Sequence, residues 1–280
     1  MITIGQLVNN GIKKLEEAGI DEPAANGELI AAFVLNKSRT YIRAFGQNII
    51  HEKEEALFNK ILGEKLRGRP LAHIIGEAEF LGRLFSISPT VLIPRPETEE
   101  LIEQSLKHLS ISQPQNILDL CTGSGCIAIS LAFLFKTAKI TSADISAEAL
   151  KVALKNAQNL NVEQRINFVK TDLFEQIEGK FDFIISNPPY IPTDIIATLS
   201  PEVKCEPNLA LDGGADGLRI IEKIVKEAPK YLSKNGLLAL EIGHGQAQKV
   251  VEFFKSKEWL APKTGKDIAG IERFIFAQKK

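Results

Sequence analysis

Four consecutive residues, Asn187-Pro188-Pro189-Tyr190, close an apolar run that extends from Phe181 to Ile185. Proline gives no N–H to a sheet ladder and fixes φ, so a strand carrying that run must stop here. Two neutral hydrogen-bond acceptors stand at the stop: the side-chain oxygen of Asn187 and the backbone carbonyl of Pro188. The prolines hold both with little freedom. Tyr190 adds a flat face for a planar group. Two acceptors match the two N–H donors of a primary amide or of an exocyclic amine. Such a nitrogen is a poor nucleophile, because its lone pair is delocalised. Holding both hydrogens would aim the nitrogen and raise its electron density as positive charge develops, which is catalysis by positioning and electrostatics. No strong base is demanded, since the alkylated cationic nitrogen loses a proton readily to water or a carbonyl. The competing reading is a proline-rich turn that merely ends a strand.

A second group of residues points to the electrophile. Asp119-Leu120-Cys121-Thr122-Gly123-Ser124-Gly125 follows one apolar run and opens a helical one. Gly123 and Gly125 permit a tight turn and a close backbone approach to a ligand. Asp144 ends the next run, 25 positions after Asp119, where an acid accepts hydrogen bonds from ribose hydroxyls. Capping the following helix is the other role open to Asp144. A dinucleotide fingerprint would carry a third glycine where this chain has Ala128, and no phosphate-cradling loop ending in Gly-Lys-Ser/Thr is present. No phosphate need be cradled if the ligand is S-adenosylmethionine, whose uncharged ribose carries a sulfonium amino acid. Asp119 then falls where a carboxylate meets the ammonium of that ligand, directly or through water. Asp172, at the end of the third run, is placed for the adenine amino group or for an ordinary turn.

These residues need a scaffold. From 115 onward strands and helices alternate: strands at Asn116–Leu120, Lys139–Ala143, Ile166–Lys170, Phe181–Ser186, Leu237–Ile242 and Arg273–Ala277, with helices at Ile127–Phe135, Ala147–Asn159, Leu218–Tyr231 and Gln246–Lys255. Alternation of this kind predicts an α/β fold, a doubly wound parallel sheet with helices on both faces. Strand candidates near 258–264 and 273–278 are too close for a helical crossover, so they pair antiparallel. Residues 208–217 predict a loop over the site or an ordinary connector. Before the hairpin expected around Gly82-Arg83, the first 70 or so residues follow helical spacing. Ile4, Leu7, Val8, Ile12 and Leu15 share one face, Pro23 opens a second helix, Ser38 caps a third, and a fourth covers about 52–67. The expected organisation is an N-terminal helical domain (1–69), a linker with a hairpin (70–90) and a catalytic domain (91–280).

Bulk composition excludes several classes. The formal net charge of −1 over 280 residues gives no global field for nucleic acid or an anionic membrane. No apolar run is long enough to cross a bilayer, and no signal peptide is visible. Cys121, Cys126 and Cys205 form no metal-ligand spacing, and four scattered histidines add none, so neither a disulfide framework nor a metal site is expected. A cytoplasmic location follows most simply.

Taken together, Val91–Glu99 (V-L-I-P-R-P-E-T-E), Asp119–Ile129, Ile185–Ile191, Glu206–Leu218 (E-P-N-L-A-L-D-G-G-A-D-G-L) and Glu241–Gln246 (E-I-G-H-G-Q) resemble the release factor glutamine methyltransferases over essentially the whole chain. The resemblance implies a seven-stranded, mostly parallel sheet of the S-adenosylmethionine-dependent methyltransferase type behind a small helical bundle. It implies N5-methylation of the glutamine in the Gly-Gly-Gln loop of peptide chain release factors, with those factors as partners and neither membrane nor direct nucleic-acid binding. Carried over by position, Cys121, Thr122, Gly123, Ser124, Gly125, Asp144, Asp172, Leu173 and Asn187 would contact the cofactor. Asn187, Pro188, Pro189 and Tyr190 would hold the glutamine, and the helical domain would engage the release factor. Two positions depart from the family pattern. Cys121 stands where glycine is usual, and its Cβ disfavours positive φ. Leu173 stands where an aromatic is common, so adenine would pack on aliphatic groups or on Phe174. Arg95 and Glu97 would border the cofactor pocket, unless Pro94 and Pro96 only shape a helix start. Methylation of a ribosomal-protein glutamine or of a nucleic-acid exocyclic amine is the alternative, and a non-catalytic cofactor-binding module a further one.

Overall fold

Apolar side chains at Ile4, Leu7, Val8 and Leu15 turn one stripe of the first helix inward, and Thr3 caps it through a reciprocal bond with Gln6. In the computed structural model, which describes residues 2–280, this helix is α1 (Ile4–Glu17). It is followed by α2 (Pro23–Leu35), α3 (Arg39–Ala44), α4 (Glu52–Leu66) and α5 (Leu71–Ile75). Ser38 accepts from the Tyr41 amide at the start of α3. The buried stripes of these helices meet around Leu15, Ile30, Phe58 and Leu62. Pro23 stands in the first turn of α2, where its missing N–H costs nothing. These residues, up to Gly76, form one compact unit together with Pro201–Cys205. Within it the ammonium of Lys65, almost fully buried, pairs with Glu202 at 2.6 Å.

The second unit comprises Glu77–Ser200 and Glu206–Lys280. It begins with a hairpin of β1 (Glu77–Phe80) and β2 (Arg83–Ser86). There follow α6 (Pro96–Leu106), β3 (Asn116–Leu120), α7 (Cys126–Leu134), β4 (Lys139–Asp144), α8 (Ala147–Asn159), β5 (Ile166–Lys170) and β6 (Phe181–Ser186). Then come β7 (Ile191–Pro192), α9 (Asn208–Leu211), β8 (Asp212–Gly214), α10 (Arg219–Glu227), β9 (Leu232–Glu241), α11 (Ala247–Phe253), β10 (Lys263–Lys266) and β11 (Glu272–Gln278). Seven strands form one sheet in the order β10-β11-β9-β6-β3-β4-β5. β11 runs against its neighbours and the other six share one direction, so the fold is the mostly parallel α/β sheet read from the alternation.

Side-chain alternation assigns the two faces. Leu118, Leu120, Ile184, Leu238, Leu240 and Ile275 pack under α10 and α11. The intervening residues, including Asp119 and Glu241, point the other way, where they meet α7 and α6. Among the described residues, no helix is long and apolar enough to cross a membrane.

Several element boundaries differ from the sequence expectation. The penultimate strand starts at Lys263, after Pro262, because proline lacks the ladder donor. The helix expected to reach Tyr231 stops at Glu227 and tightens into a 3₁₀ turn containing Pro229. β9 begins at Leu232, ahead of the expected Leu237, and carries the turn-like Asn235-Gly236 pair as a bulge with Asn235 at φ +60°. Residues 208–217, expected as loop, contain α9 and β8, and β8 pairs with β7 just beyond Tyr190.

Candidate active site

The strand order reverses between β3 and β6. β3 leads to β4 and β5 on one side, while β6 lies on its other side. Leu120 and Ser186 are register partners, and the Ser186 hydroxyl donates to the Leu120 carbonyl at 2.7 Å. The turn after Leu120 and the turn after Ser186 therefore leave the sheet side by side, where open α/β sheets bind ligands. A cavity of about 320 Å³ opens there, lined by Cys121, Gly123, Asp144, Asp172, Leu173 and Asn187.

The glycine-containing turn divides its residues between the cavity and the interior. Cys121 adopts φ +59° although it is not glycine, a conformation that costs an L-residue about 1 kcal/mol. Burial pushes its thiol pKa well up, which keeps it a neutral wall. A Cβ built on Gly123, at φ +55°, would meet nothing within 4 Å, so bare backbone faces the cavity. Thr122, Ser124 and Gly125 do not line it. Thr122 is buried, donates to Asp119 and accepts from Ser142 Oγ at 2.8 Å. The Ser124 carbonyl accepts from Asn156 Nδ2 at 2.9 Å.

Asp119 also departs from expectation. Because the pleat turns it away from the cavity side, its Oδ2 accepts from the Ala128 amide at 3.1 Å, near the start of α7, and from Thr122. Its other oxygen is buried with no partner. Burial raises its carboxyl to about 7, against the opposing hydrogen bonds.

Asp144 bridges two elements: Oδ2 accepts from the Gly123 amide and Oδ1 from the Ser146 amide, each at 2.9 Å. Burial raises its pKa above the usual carboxylate value. The α8 cap is the Ser146 side chain, which accepts from Ala149. Each Asp144 oxygen keeps a second lone pair for a hydroxyl. Asp172 faces Lys223 at 3.8 Å. Leu173, Ile145 and Ile220 give the cavity an aliphatic wall. Phe174 is not part of it, being stacked on Tyr231 at 4.6 Å in the core.

On the opposite side of the switch point, Asn187 Nδ2 donates to Thr98 Oγ1 at 2.9 Å, and Thr98 Oγ1 donates to Glu241 Oε2 at 2.7 Å. The Tyr190 hydroxyl reaches the other Glu241 oxygen at 3.3 Å. Among the described residues, no donor reaches Asn187 Oδ1 or the Pro188 carbonyl oxygen. Pro189 lines the cavity, while Pro188 and Tyr190 do not. The Tyr190 carbonyl is gripped by Gln246 Nε2 at 2.9 Å, and Gln246 Oε1 accepts from the Gly243 amide at 2.7 Å. Arg95 and Glu97 stay off the cavity wall: Arg95 pairs with buried Glu206, whose other oxygen accepts from the Ile93 amide at 3.0 Å.

Sequence reasoning did not assign roles to Thr98, Glu241 or Gln246. One signal was available for Glu241, an acid closing the apolar strand Leu237–Leu240, since such residues are seldom buried without a task.

A PrmC N-terminal domain matches residues 6–76 and a Methyltransferase small domain matches residues 100–197. A release factor glutamine methyltransferase of Koribacter versatilis is 37% identical over 99% of this chain and 99% of its own length. One from Nitratidesulfovibrio vulgaris is 38% identical over 99% of this chain and 95% of its own. Among solved structures, a methyltransferase from Pyrococcus furiosus superposes with a TM-score of 0.56 at 19% identity, covering 79% of this chain and 98% of its own, a likeness of fold.

Proposed function

The chain belongs to the release factor glutamine methyltransferase family, and from that premise we propose that it methylates the side-chain nitrogen of the glutamine in the Gly-Gly-Gln loop of peptide chain release factors, with S-adenosylmethionine as donor. The observation that carries this reading at the site is the committed Asn187 amide. Its nitrogen is held by Thr98, so its oxygen is left to accept.

The residues present suit the donor. The bare backbone at Gly123 offers close approach, Asp144 retains lone pairs for ribose hydroxyls, and Leu173, Ile145 and Ile220 offer an apolar surface for adenine. Asp172, on the cavity wall, would take the adenine amino group. Cys121 and Gly123 contribute backbone, while Thr122, Ser124 and Gly125 shape the turn from behind. Bound there, S-adenosylmethionine would supply an electrophilic methyl carbon, the N–C bond forming as the sulfonium S–C bond breaks to leave a neutral thioether.

The chain's own residues do the rest. Asn187 Oδ1 and the Pro188 carbonyl accept the two N–H bonds of the glutamine carboxamide and fix where its nitrogen points. Both oxygens carry partial negative charge that strengthens the grip as the nitrogen becomes positive. Pro188 and Pro189 keep the acceptors rigid, and Tyr190 supplies a face for the planar amide. The methylated nitrogen then loses one proton to water. The helical unit, which runs to Gly76 and so includes α5, is assigned to release-factor binding, and the hairpin of β1 and β2 belongs to the catalytic unit.

Incubation with labelled S-adenosylmethionine and three separate acceptors tests this function: release factor, ribosomal subunits and DNA. Label is expected on the release factor alone, at its Gly-Gly-Gln glutamine. Label on ribosomal protein or DNA instead would overturn it. The near-neutral net charge gives nucleic acid no general advantage as acceptor.

A further inference from the structure

The bond from Asn187 to Thr98 continues to a buried carboxylate, and its direction has a consequence. An ionised Glu241 can only accept, so the single hydroxyl proton of Thr98 goes to Glu241 Oε2. The Thr98 oxygen is left with lone pairs alone, and the partner facing it must donate. Asn187 satisfies this only with its NH₂ toward Thr98, which turns its oxygen toward the acceptor side. Both members of the relay are buried, at 2% exposure for Thr98 and 1% for Glu241, so water does not substitute for either.

We propose that Glu241, acting through Thr98, is the positioning residue that fixes the carboxamide orientation of Asn187 and so makes the site select a carboxamide acceptor over a carboxylate. This rests on the functional reading above. With the relay intact, two oxygens face the acceptor, and a glutamate side chain would set its own oxygens against them. With the relay broken, the Asn187 carboxamide is free to turn over and present N–H groups, which suit a carboxylate and repel an NH₂.

The surroundings of Glu241 make the relay sensitive to protonation. Facing it are Thr98 and Glu97 of α6, Tyr190, Arg273 of β11 and Cys126 of α7. Burial raises its carboxyl to about 7, Glu97 adds to the rise, and Thr98, Tyr190 and Arg273 oppose it. A protonated Glu241 can donate to Thr98, which frees the Thr98 proton for Asn187 Oδ1 and reverses the relay. Turnover therefore falls as pH drops below about 7.

The test uses the full-length enzyme with release factor as acceptor, and the same factor with glutamate in place of the acceptor glutamine as competitor. Thr98→Val is expected to lower kcat by about 10²-fold, the scale of a misaligned reactant, with cofactor Kd within about threefold. Thr98→Ser, which keeps the hydroxyl, is expected to recover kcat to within about fivefold of wild type. The glutamate competitor is expected to inhibit Thr98→Val about tenfold more tightly than wild type, relative to each enzyme's KM for glutamine, a split that simple loosening of the site does not produce. Glu241→Gln is the second variant, in case Thr98→Val does not fold; it should lower kcat and lose the fall of activity below pH 7. A folded Thr98→Val enzyme with kcat within threefold of wild type, or with an unchanged preference against the glutamate competitor, would overturn the proposal. So would a Glu241→Gln enzyme that keeps both full turnover and the wild-type pH profile. Wild-type enzyme that leaves the release factor unlabelled would overturn the functional reading itself, and this proposal with it.

Discussion

Asn187 gives its amide nitrogen to Thr98 and keeps its oxygen for the acceptor, and that division predicts how its loss will read out. Asn187→Ala should lower single-turnover methylation by 10² or more, the size of one transition-state contact. Cofactor affinity, measured by calorimetry, should stay within about tenfold, since Cys121, Gly123, Asp144 and Leu173 also line that cavity. Equal turnover would remove Asn187 from the mechanism. Cys121 gives a second residue-scale expectation. Its φ of +59° is tolerated by an unbranched side chain but is a genuine outlier for a β-branched one. Cys121→Val should destabilise by about 1–3 kcal/mol and weaken cofactor binding, whereas Cys121→Gly should bind at least as tightly as wild type. Thermal unfolding with and without cofactor distinguishes the two. Asn187 was legible because two prolines mark it in the sequence. Thr98 was not, and Glu241 only as an acid closing an apolar strand, because their contacts span 89 and 143 positions and exist only once α6 has docked on β9.

At the scale of elements, the acceptor turn depends on a buttress the sequence pattern left as a choice between loop and connector. β8 and the turn after it press against Tyr190, and a Cβ on Gly217 would lie 2.2 Å from the Tyr190 carbonyl oxygen. That oxygen cannot retreat, because Gln246 holds it. Gly217→Ala should therefore lower kcat by about tenfold or more with a modest stability loss of about 1–3 kcal/mol. A fully active Gly217→Ala enzyme would show that the acceptor turn needs no such support. The parallel strands were readable from their apolar runs, and the turns at their carboxyl ends from glycine, asparagine and proline. The starts of β9 and β10 were misplaced, since a glycine within a strand can mark a bulge and a proline confines the strand to the residues after it. The division of the glycine-containing turn into cavity-facing and inward-facing residues was invisible, because spacing alone does not say which way Thr122, Ser124 and Asp119 point.

For the whole molecule, two carboxyls buried on one face of the sheet set a pH dependence of stability. Asp119 and Glu241 are both raised to about 7 from 3.8 and 4.5. A raised carboxyl is protonated more readily in the folded state, so its contribution is full at low pH and is lost as pH rises through about 7. Asp119→Asn removes one such group. Its stability relative to wild type should increase by about 2–3 kcal/mol between pH 5 and pH 7.5. The single tryptophan, Trp259, is buried in the catalytic unit and reports its urea unfolding. A pH-independent difference would mean that Asp119 titrates normally. The two-part composition was legible from helical spacing giving way to alternating strands. The inclusion of Pro201–Cys205 in the helical unit was not, since Lys65 and Glu202 meet across 137 positions.

The mechanism itself rests on the two oxygens at the end of β6. The measurement that reaches them most directly is a crystal structure with S-adenosylhomocysteine and a Gly-Gly-Gln peptide bound together. The glutamine nitrogen should lie about 3 Å from both Asn187 Oδ1 and the Pro188 carbonyl, with Asn187 Nδ2 still on Thr98. A glutamine bound with its nitrogen turned away from those two atoms, or with its carbonyl oxygen in that place, would contradict the mechanism.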